Sequence, residues 1–532
     1  MSLTSPLFFI AFGISLMVYY IVPKRFQWPL LLIFSVLFFL ASSDPKTIVF
    51  LLISIITTAL CAQFIEKARE STSSANLKSV TSDTTGKNTA KAVSPGSAAL
   101  SAGILINLLI LAILKYHHFF IDNLNALLRL FGQERHIAGF SAEPAAPIGI
   151  SFYTMIVIAY LVDVYWGVTK AENGLFKNAL FISYWPLLTS GPIVRHKEMQ
   201  DELFSRHSFD AEEIASGLQR MLWGIFKKLV ISARLGILVD TIYSDINQYQ
   251  GIYLILAMGM FLLQLYTDFS GCMDIIIGAS ECYGVRLPEN FDHPFHARSI
   301  QEYWQRWHIT LGLWLRDYIM YPRLRSKGMR DLNSALKKRV GRKTANQITT
   351  YLGMLMVWLL IGLWHGGDWK FIIGMGLWFY ACIVLGEVLK PTFNRLIGLL
   401  RINSETDGWH FFQSCRVFVL AAIGNVFFRL PSLSDALLVI CRAFTVWNPW
   451  ILFDGSLHQL GLNEKNCHLL IVCLALGVFV SQIQRKESFR SVVRRQNLVF
   501  RWTIWIALIL SIVIFGMYGP GYQQAAFIYQ QF

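Results

Sequence analysis

Apolar residues in this chain come in long runs rather than in alternation. The runs cover residues 6–22, 28–40, 47–64, 98–114, 147–164, 252–277, 348–364, 371–385, 411–428, 437–446, 468–480 and 502–517. A bilayer core needs about 20 apolar residues in a helix, so these runs predict about ten to twelve membrane spans. The second run is short for a span and is expected to tilt little or lie partly at the interface. Between the runs other patterns appear. Trp304, Trp307, Leu311, Trp314 or Leu315, and Tyr318 recur at three to four positions, which predicts one amphipathic helix that lies flat or dips inward. Arg220, Lys227, Lys228 and Arg234 recur among apolar residues, as in an interfacial helix. Residues 184–196 hold two prolines and a glycine, which cannot make a regular lipid-facing helix and predict a re-entrant segment that is buried in protein or lines a cavity. Residues 71–97 are rich in Ser, Thr, Ala and Lys without periodicity and predict a flexible cytoplasmic loop. The fold class is therefore an all-α polytopic membrane protein with re-entrant and interfacial helices. A division into 1–146, 147–389 and 390–532 separates N-terminal spans, a motif-rich core and C-terminal spans.

Composition agrees: 54% of the 532 residues are hydrophobic and 15% are charged, against about 25% charged in a soluble domain. The net charge of +14 does not imply nucleic acid, because the basic residues sit in turns between apolar runs, where they fix orientation. The strongest such marker is the loop 323–343, with Arg323, Arg325, Lys327, Arg330, Lys337, Lys338, Arg339, Arg342 and Lys343 against Asp331 alone. Lys24 and Arg25 after the first run, and Lys67 and Arg69 after the third, place the N-terminus outside the cytoplasm. The first run lacks a positive n-region and a small-residue cleavage site, and reads as a retained span. The eight cysteines form no C-x-x-C pair and mostly lie in apolar runs, so they read as small buried hydrophobes.

The chemistry is carried by polar residues in costly places. Asp268 and Asp274 lie inside an apolar run. His308 and His365 each stand beside tryptophan, and His365 closes a predicted span. An ionisable group in such a place is a functional-site hypothesis by default. No nucleophile elbow, H-E-x-x-H or P-loop is present. His293 and His296 flank a Pro-Phe turn without a third ligand, a weak metal signal, and no metal is expected. His117 and His118 point to different sides of any helix. A histidine near neutral pKa can take a proton from a hydroxyl, which suits acyl transfer from a thioester to an alcohol. Tryptophan walls would keep water from hydrolysing the donor.

Several motifs resemble the membrane-bound O-acyltransferase family, in the bacterial branch of the alginate O-acetylases and the D-alanyl transfer proteins. They are Pro147-Ile148-Gly149-Ile150-Ser151-Phe152-Tyr153, Gly191-Pro192-Ile193, Tyr266-Thr267-Asp268-Phe269-Ser270-Gly271, Pro288-Glu289-Asn290-Phe291, Tyr303-Trp304-Gln305-Arg306-Trp307-His308-Ile309-Thr310-Leu311-Gly312-Leu313-Trp314-Leu315-Arg316-Asp317-Tyr318, Gly362-Leu363-Trp364-His365-Gly366 and the closing Phe527-Ile528-Tyr529-Gln530-Gln531-Phe532. The resemblance implies a ring of tilted helices around a central tunnel, in a bacterial inner membrane. It implies His365 as catalytic base with His308 beside it. Trp304, Trp307, Arg316, Asp317, Asp268, Ser270, Asn290 and Trp364 become tunnel or supporting residues. It also implies an acyl thioester donor, acetyl-CoA or a phosphopantetheine acyl carrier protein, an envelope polysaccharide acceptor, and extracytoplasmic or accessory membrane proteins as partners. Acetyl transfer to a polysaccharide is the first reading and D-alanyl transfer to teichoic acid or a similar acceptor the second. A transporter or flippase of an envelope precursor is the reading from another class, weakened by the lack of an internal repeat.

Overall fold

The computed structural model describes residues 2–79, 95–133, 137–138 and 145–519. The described residues are helical almost throughout. Their isolated β-bridge pairs Phe291 with Trp307. Among the described residues nine helices are long and apolar enough to cross a membrane, and two shorter apolar helices, Pro6–Ile21 and Ile150–Trp166, accompany them. Nine and two make eleven, in line with the count expected from the runs. The second run is one of the nine, because Lys24–Ser42 extends it at both ends. The run 437–446 is not. It lies in a 13-residue helix, Leu433–Thr445, whose Arg442 bonds the Ile246 carbonyl at 2.9 Å and Asn247 Oδ1 at 2.8 Å. The closing motif 527–532 lies outside the described residues.

Three local expectations need correction. The helix Ile48–Ser79 continues through the first part of the segment read as a loop, since no glycine or proline occurs there before Gly86 to stop it; residues 80–94 lie outside the description. The basic loop 323–343 is largely the helix Lys327–Val340, started by the Ser326 cap on Met329 N and ended at Gly341. Its helix-forming residues decide its backbone, while its charge decides its solvation. The amphipathic stretch 299–318 is not one helix: it breaks at Trp307–His308.

The chain divides into two compact units, residues 1–217 with 279–288, and residues 218–278 with 289–532. The first contains the segment 184–196 that the sequence predicts to be re-entrant. Its backbone is irregular around the four-residue helix Trp185–Leu188, and residues 183–194 are all buried. Trp185 sits among Phe8, Phe12, Phe34 and Phe38 at ring distances of 5.3 to 6.4 Å, and its backbone N–H donates to Ser35 Oγ at 3.1 Å. Gly149, at φ 73°, lies so close that a Cβ would stand 2.1 Å from the Leu188 carbonyl oxygen. Burial in protein is the condition under which such backbone is tolerated.

The second unit carries the histidines. Among the described residues its helices hold three π-helical segments, 227–232, 316–320 and 370–376. A π turn inserts an extra residue and re-aims the side chains around it, and such turns recur at functional sites.

Candidate active site

The site begins with the interruption at His308. Ser299 caps the helix Ile300–Arg306 by accepting from Glu302 N at 3.1 Å. Glu302 reaches back to accept from Arg298 N at 2.8 Å, an arrangement close to a capping box. The loop after Pro288 then competes for the backbone. Asp292 N donates to the Arg306 carbonyl at 3.0 Å, and Ile309 N donates to the Asn290 carbonyl at 3.0 Å. Between them His308 takes the left-handed conformation, φ 48° and ψ 52°, uncommon and unfavourable for a residue with a Cβ. A second helix, Ile309–Leu315, follows. The interruption turns the His308 ring into the interior, where the residue is 2% exposed and meets Phe269 edge-on at 4.9 Å.

Asn290 fixes that ring. Its Oδ1 accepts from Thr310 N at 3.1 Å, from Thr310 Oγ1 at 3.0 Å and from His308 Nδ1 at 3.2 Å. A backbone N–H can only donate, so the shared atom is the amide oxygen. His308 Nδ1 therefore carries the hydrogen, and the basic lone pair is on Nε2. Burial pushes the imidazole down to about 3, so it is neutral at ordinary pH.

His365 arrives from another direction. It lies in the last turn of the helix Arg342–Gly366 and is 3% exposed. Gly362 sets its depth: a Cβ there would stand 2.5 Å from the Phe371 carbonyl oxygen, so only glycine lets the following π segment pack this closely. The His365 ring meets Phe428 edge-on at 4.8 Å. Trp364 joins the two histidines, its ring 5.0 Å from His365 and 6.0 Å from His308. Residues 57 positions apart in sequence thus share one aromatic cluster. Trp304 and Trp307 belong to further aromatic contacts of the same unit. Trp304 meets Trp358 at 5.0 Å and Phe379 at 4.8 Å, and Trp307 stacks on Tyr303 at 5.5 Å and meets Phe291 at 5.1 Å.

The carboxylates are placed differently. Asp268 and Asp274 pair with basic residues and anchor the helix Ile252–Cys282. Asp268 pairs with Lys228. Asp274 takes Lys227 at 2.8 Å and Arg220 at 3.0 Å, and Arg220 also holds Glu289 through both terminal nitrogens, at 2.8 and 2.6 Å. Ser270 Oγ accepts from Lys227 Nζ at 2.9 Å. Lys227 and Lys228 lie on the first π segment, and the sequence pattern that made them interfacial missed this role. Arg220 and Glu289 were equally hidden, because their partners are 54 and 69 positions away. Below them Gly224 and Gly271 face each other, with a Cβ on the first standing 2.4 Å from the backbone oxygen of the second. Arg316 and Asp317 form a neighbouring pair, at 2.8 Å, on the second π segment, with the arginine half exposed. Phe269, Phe428 and Thr310 complete the cluster. Phe269 and Thr310 lie within the sequence motifs around Asp268 and His308, whereas Phe428 carries no such signal.

Comparison with known proteins bears on this arrangement. Residues 172–334 match the model of the membrane-bound O-acyltransferase family, a segment that holds His308 and Asn290 and ends before His365. The chain is 31% identical over 381 residues to a probable alginate O-acetylase of Azotobacter vinelandii, covering 71% of this chain and 69% of that protein. The chain belongs to the membrane-bound O-acyltransferase family. It is a multi-pass membrane O-acyltransferase. Relatives of other printed activities match as well. A peptidoglycan O-acetyltransferase of Helicobacter pylori is 30% identical, over 52% of each chain. A teichoic acid D-alanyltransferase of Bacillus subtilis is 25% identical, over 42% of this chain and 55% of that one. In this chain both histidine rings are buried among aromatic side chains.

Proposed function

We propose that this protein moves an acetyl group from a cytoplasmic thioester to hydroxyls of an envelope polysaccharide on the other side of the membrane, with His365 as general base. The observation that carries this reading is the Trp364 ring lying against both histidines. His365 takes the proton of the acceptor hydroxyl as its oxygen attacks the thioester carbonyl. The tetrahedral intermediate collapses, the carbon–sulfur bond breaks, and the imidazolium returns the proton to the departing thiolate. The products are an ester and a free thiol. His365 sits at the C-terminal end of its helix, where the dipole favours the positive charge a base acquires in the transition state. His308, neutral and fixed by Asn290, presents Nε2 to the same cluster as support. Acetyl is preferred over D-alanyl because the relatives with the higher identities are named as O-acetylases or O-acetyltransferases. The donor is acetyl-CoA or an acetylated phosphopantetheine carrier, and an extracytoplasmic protein would complete delivery to the polymer.

The test is His365→Ala in the native host, with acetyl content of the envelope polymers as readout. Loss of about 10²–10⁴-fold in transfer rate is expected, with membrane insertion unchanged. Full acetylation would remove the catalytic role. Purified protein in liposomes, supplied in turn with labelled acetyl-CoA and labelled acyl carrier, identifies the donor. Transport of an intact envelope precursor without acyl donor would favour the flippase reading.

A further inference from the structure

The second unit holds a cavity of about 810 Å³ whose lining includes neither His308 nor His365. One wall is polar and internal, formed by Arg220, Lys227, Ser270 and Asp274. The opposite wall is Leu474, Val478, Ile504 and Leu508, from the helices Glu464–Gln484 and Leu498–Phe515. Both helices are candidate spans. The helix Leu498–Phe515 has no buried residue, so its outer side is a lipid-facing surface. The cavity continues to Gln484, Ser488 and Arg490 in the turn between these helices. That turn and its flanks carry Arg485, Lys486, Arg490, Arg494, Arg495 and Arg501 against Glu487. The cavity thus joins an apolar wall at the bilayer to a strongly basic rim.

We infer that this cavity binds one anionic phospholipid, its acyl chain along the wall of the two C-terminal helices and its phosphate at the Arg490 rim. An apolar pocket reached between lipid-facing helices is filled from the bilayer at little cost in desolvation. A basic cluster beside a span selects anionic headgroups, and the positive-inside rule puts this turn on the cytoplasmic leaflet where they are found. The polar wall ends at Asn290, the residue that also holds His308 Nδ1. A lipid here would therefore stand behind the active site, not in it.

Native mass spectrometry of the purified full-length protein, stripped of lipid and titrated with phosphatidylglycerol or phosphatidylcholine, tests the inference. One phosphatidylglycerol per chain is expected, held at least fivefold more tightly than phosphatidylcholine. Arg490→Gln should weaken it roughly fivefold, the effect of one basic residue at an anionic surface. Gly477→Phe should abolish retention: Gly477 lines the cavity and an added side chain there begins in open space. Equal retention of the two lipids, or phosphatidylglycerol retained by Gly477→Phe, would overturn the site. So would displacement of the lipid by S-acetyl phosphopantetheine, which would make the cavity part of the donor path.

Discussion

At the scale of single residues, the functional weight falls on the contact between Asn290 and His308. Asn290→Leu removes the acceptor of His308 Nδ1–H while leaving the ring in place. Loss of orientation should lower the turnover rate by about 10²-fold, and Asn290→Asp, which keeps an acceptor, should recover part of it. Kinetics of labelled acetyl transfer in liposomes would read the difference, and equal rates for all three proteins would reduce Asn290 to a packing residue. His308 also gives stability a pH dependence. Its pKa is near 3 in the folded protein and about 6.5 in the unfolded chain, so the unfolded state binds the proton first as pH falls. The contribution of the neutral ring is complete above about pH 6.5 and is lost between there and about pH 3. Thermal unfolding in detergent from pH 7 to pH 4 should show this decline, and His308→Gln should flatten it. Sequence made both histidines visible through their tryptophan neighbours. It could not display the left-handed backbone of His308, which is imposed by the hydrogen bonds that Ile309 N donates to the Asn290 carbonyl and Asp292 N donates to the Arg306 carbonyl.

At the scale of elements, two close approaches position the site. The helix Ala211–Phe226 and the helix Ile252–Cys282 meet at Gly224 and Gly271, and the π segment beyond supplies Lys227 and Lys228 to the carboxylates. Lys227→Met leaves Asp274 with Arg220 alone in a site mostly closed to water. A loss of about 3–5 kcal/mol is expected, measured as thermal unfolding in detergent, with partial recovery in the double variant Lys227→Met/Asp274→Asn. An unchanged midpoint would show the pair to be solvated. The second approach is Gly362 against the π segment 370–376. Gly362→Ala places a methyl against the Phe371 carbonyl and should cost about 1–3 kcal/mol while displacing His365, so stability and transfer rate should fall together. The apolar runs foretold the candidate spans, since burial in lipid requires continuous hydrophobicity, while the shorter helices between them, such as Lys327–Val340, left no apolar run. The π segments were not foretold, because a single extra residue per turn leaves no mark on composition.

At the scale of the whole molecule, the turns give one consistent sidedness. Starting from the basic helix Lys327–Val340, the spans Arg342–Gly366, Lys370–Val388, Asp407–Arg429 and Glu464–Gln484 return the chain to the same side at residues 390–401 and 485–497. Each of these turns is basic. The segment 446–462 falls on the opposite side. Asn448 there ties down the start of another span by accepting from Ile252 N at 2.8 Å. In a cysteine-free background, Ser456→Cys should react with an impermeant maleimide on intact cells, and Ser334→Cys only after permeabilisation. The reverse pattern would invert the orientation and the direction of transfer.

The sequence by itself determined the medium, the approximate spans and the two histidines. Each of these depends on local composition, which a bilayer reads one segment at a time. Only the tertiary structure decided what those residues face. It interrupted the predicted helix at His308, brought that ring against Trp364 beside His365, and turned two lysines of an apparently interfacial helix inward onto Asp268 and Asp274. The reason is physical: these outcomes come from hydrogen bonds, ion pairs and glycine contacts between residues far apart in the chain, and no local pattern encodes a partner that distant.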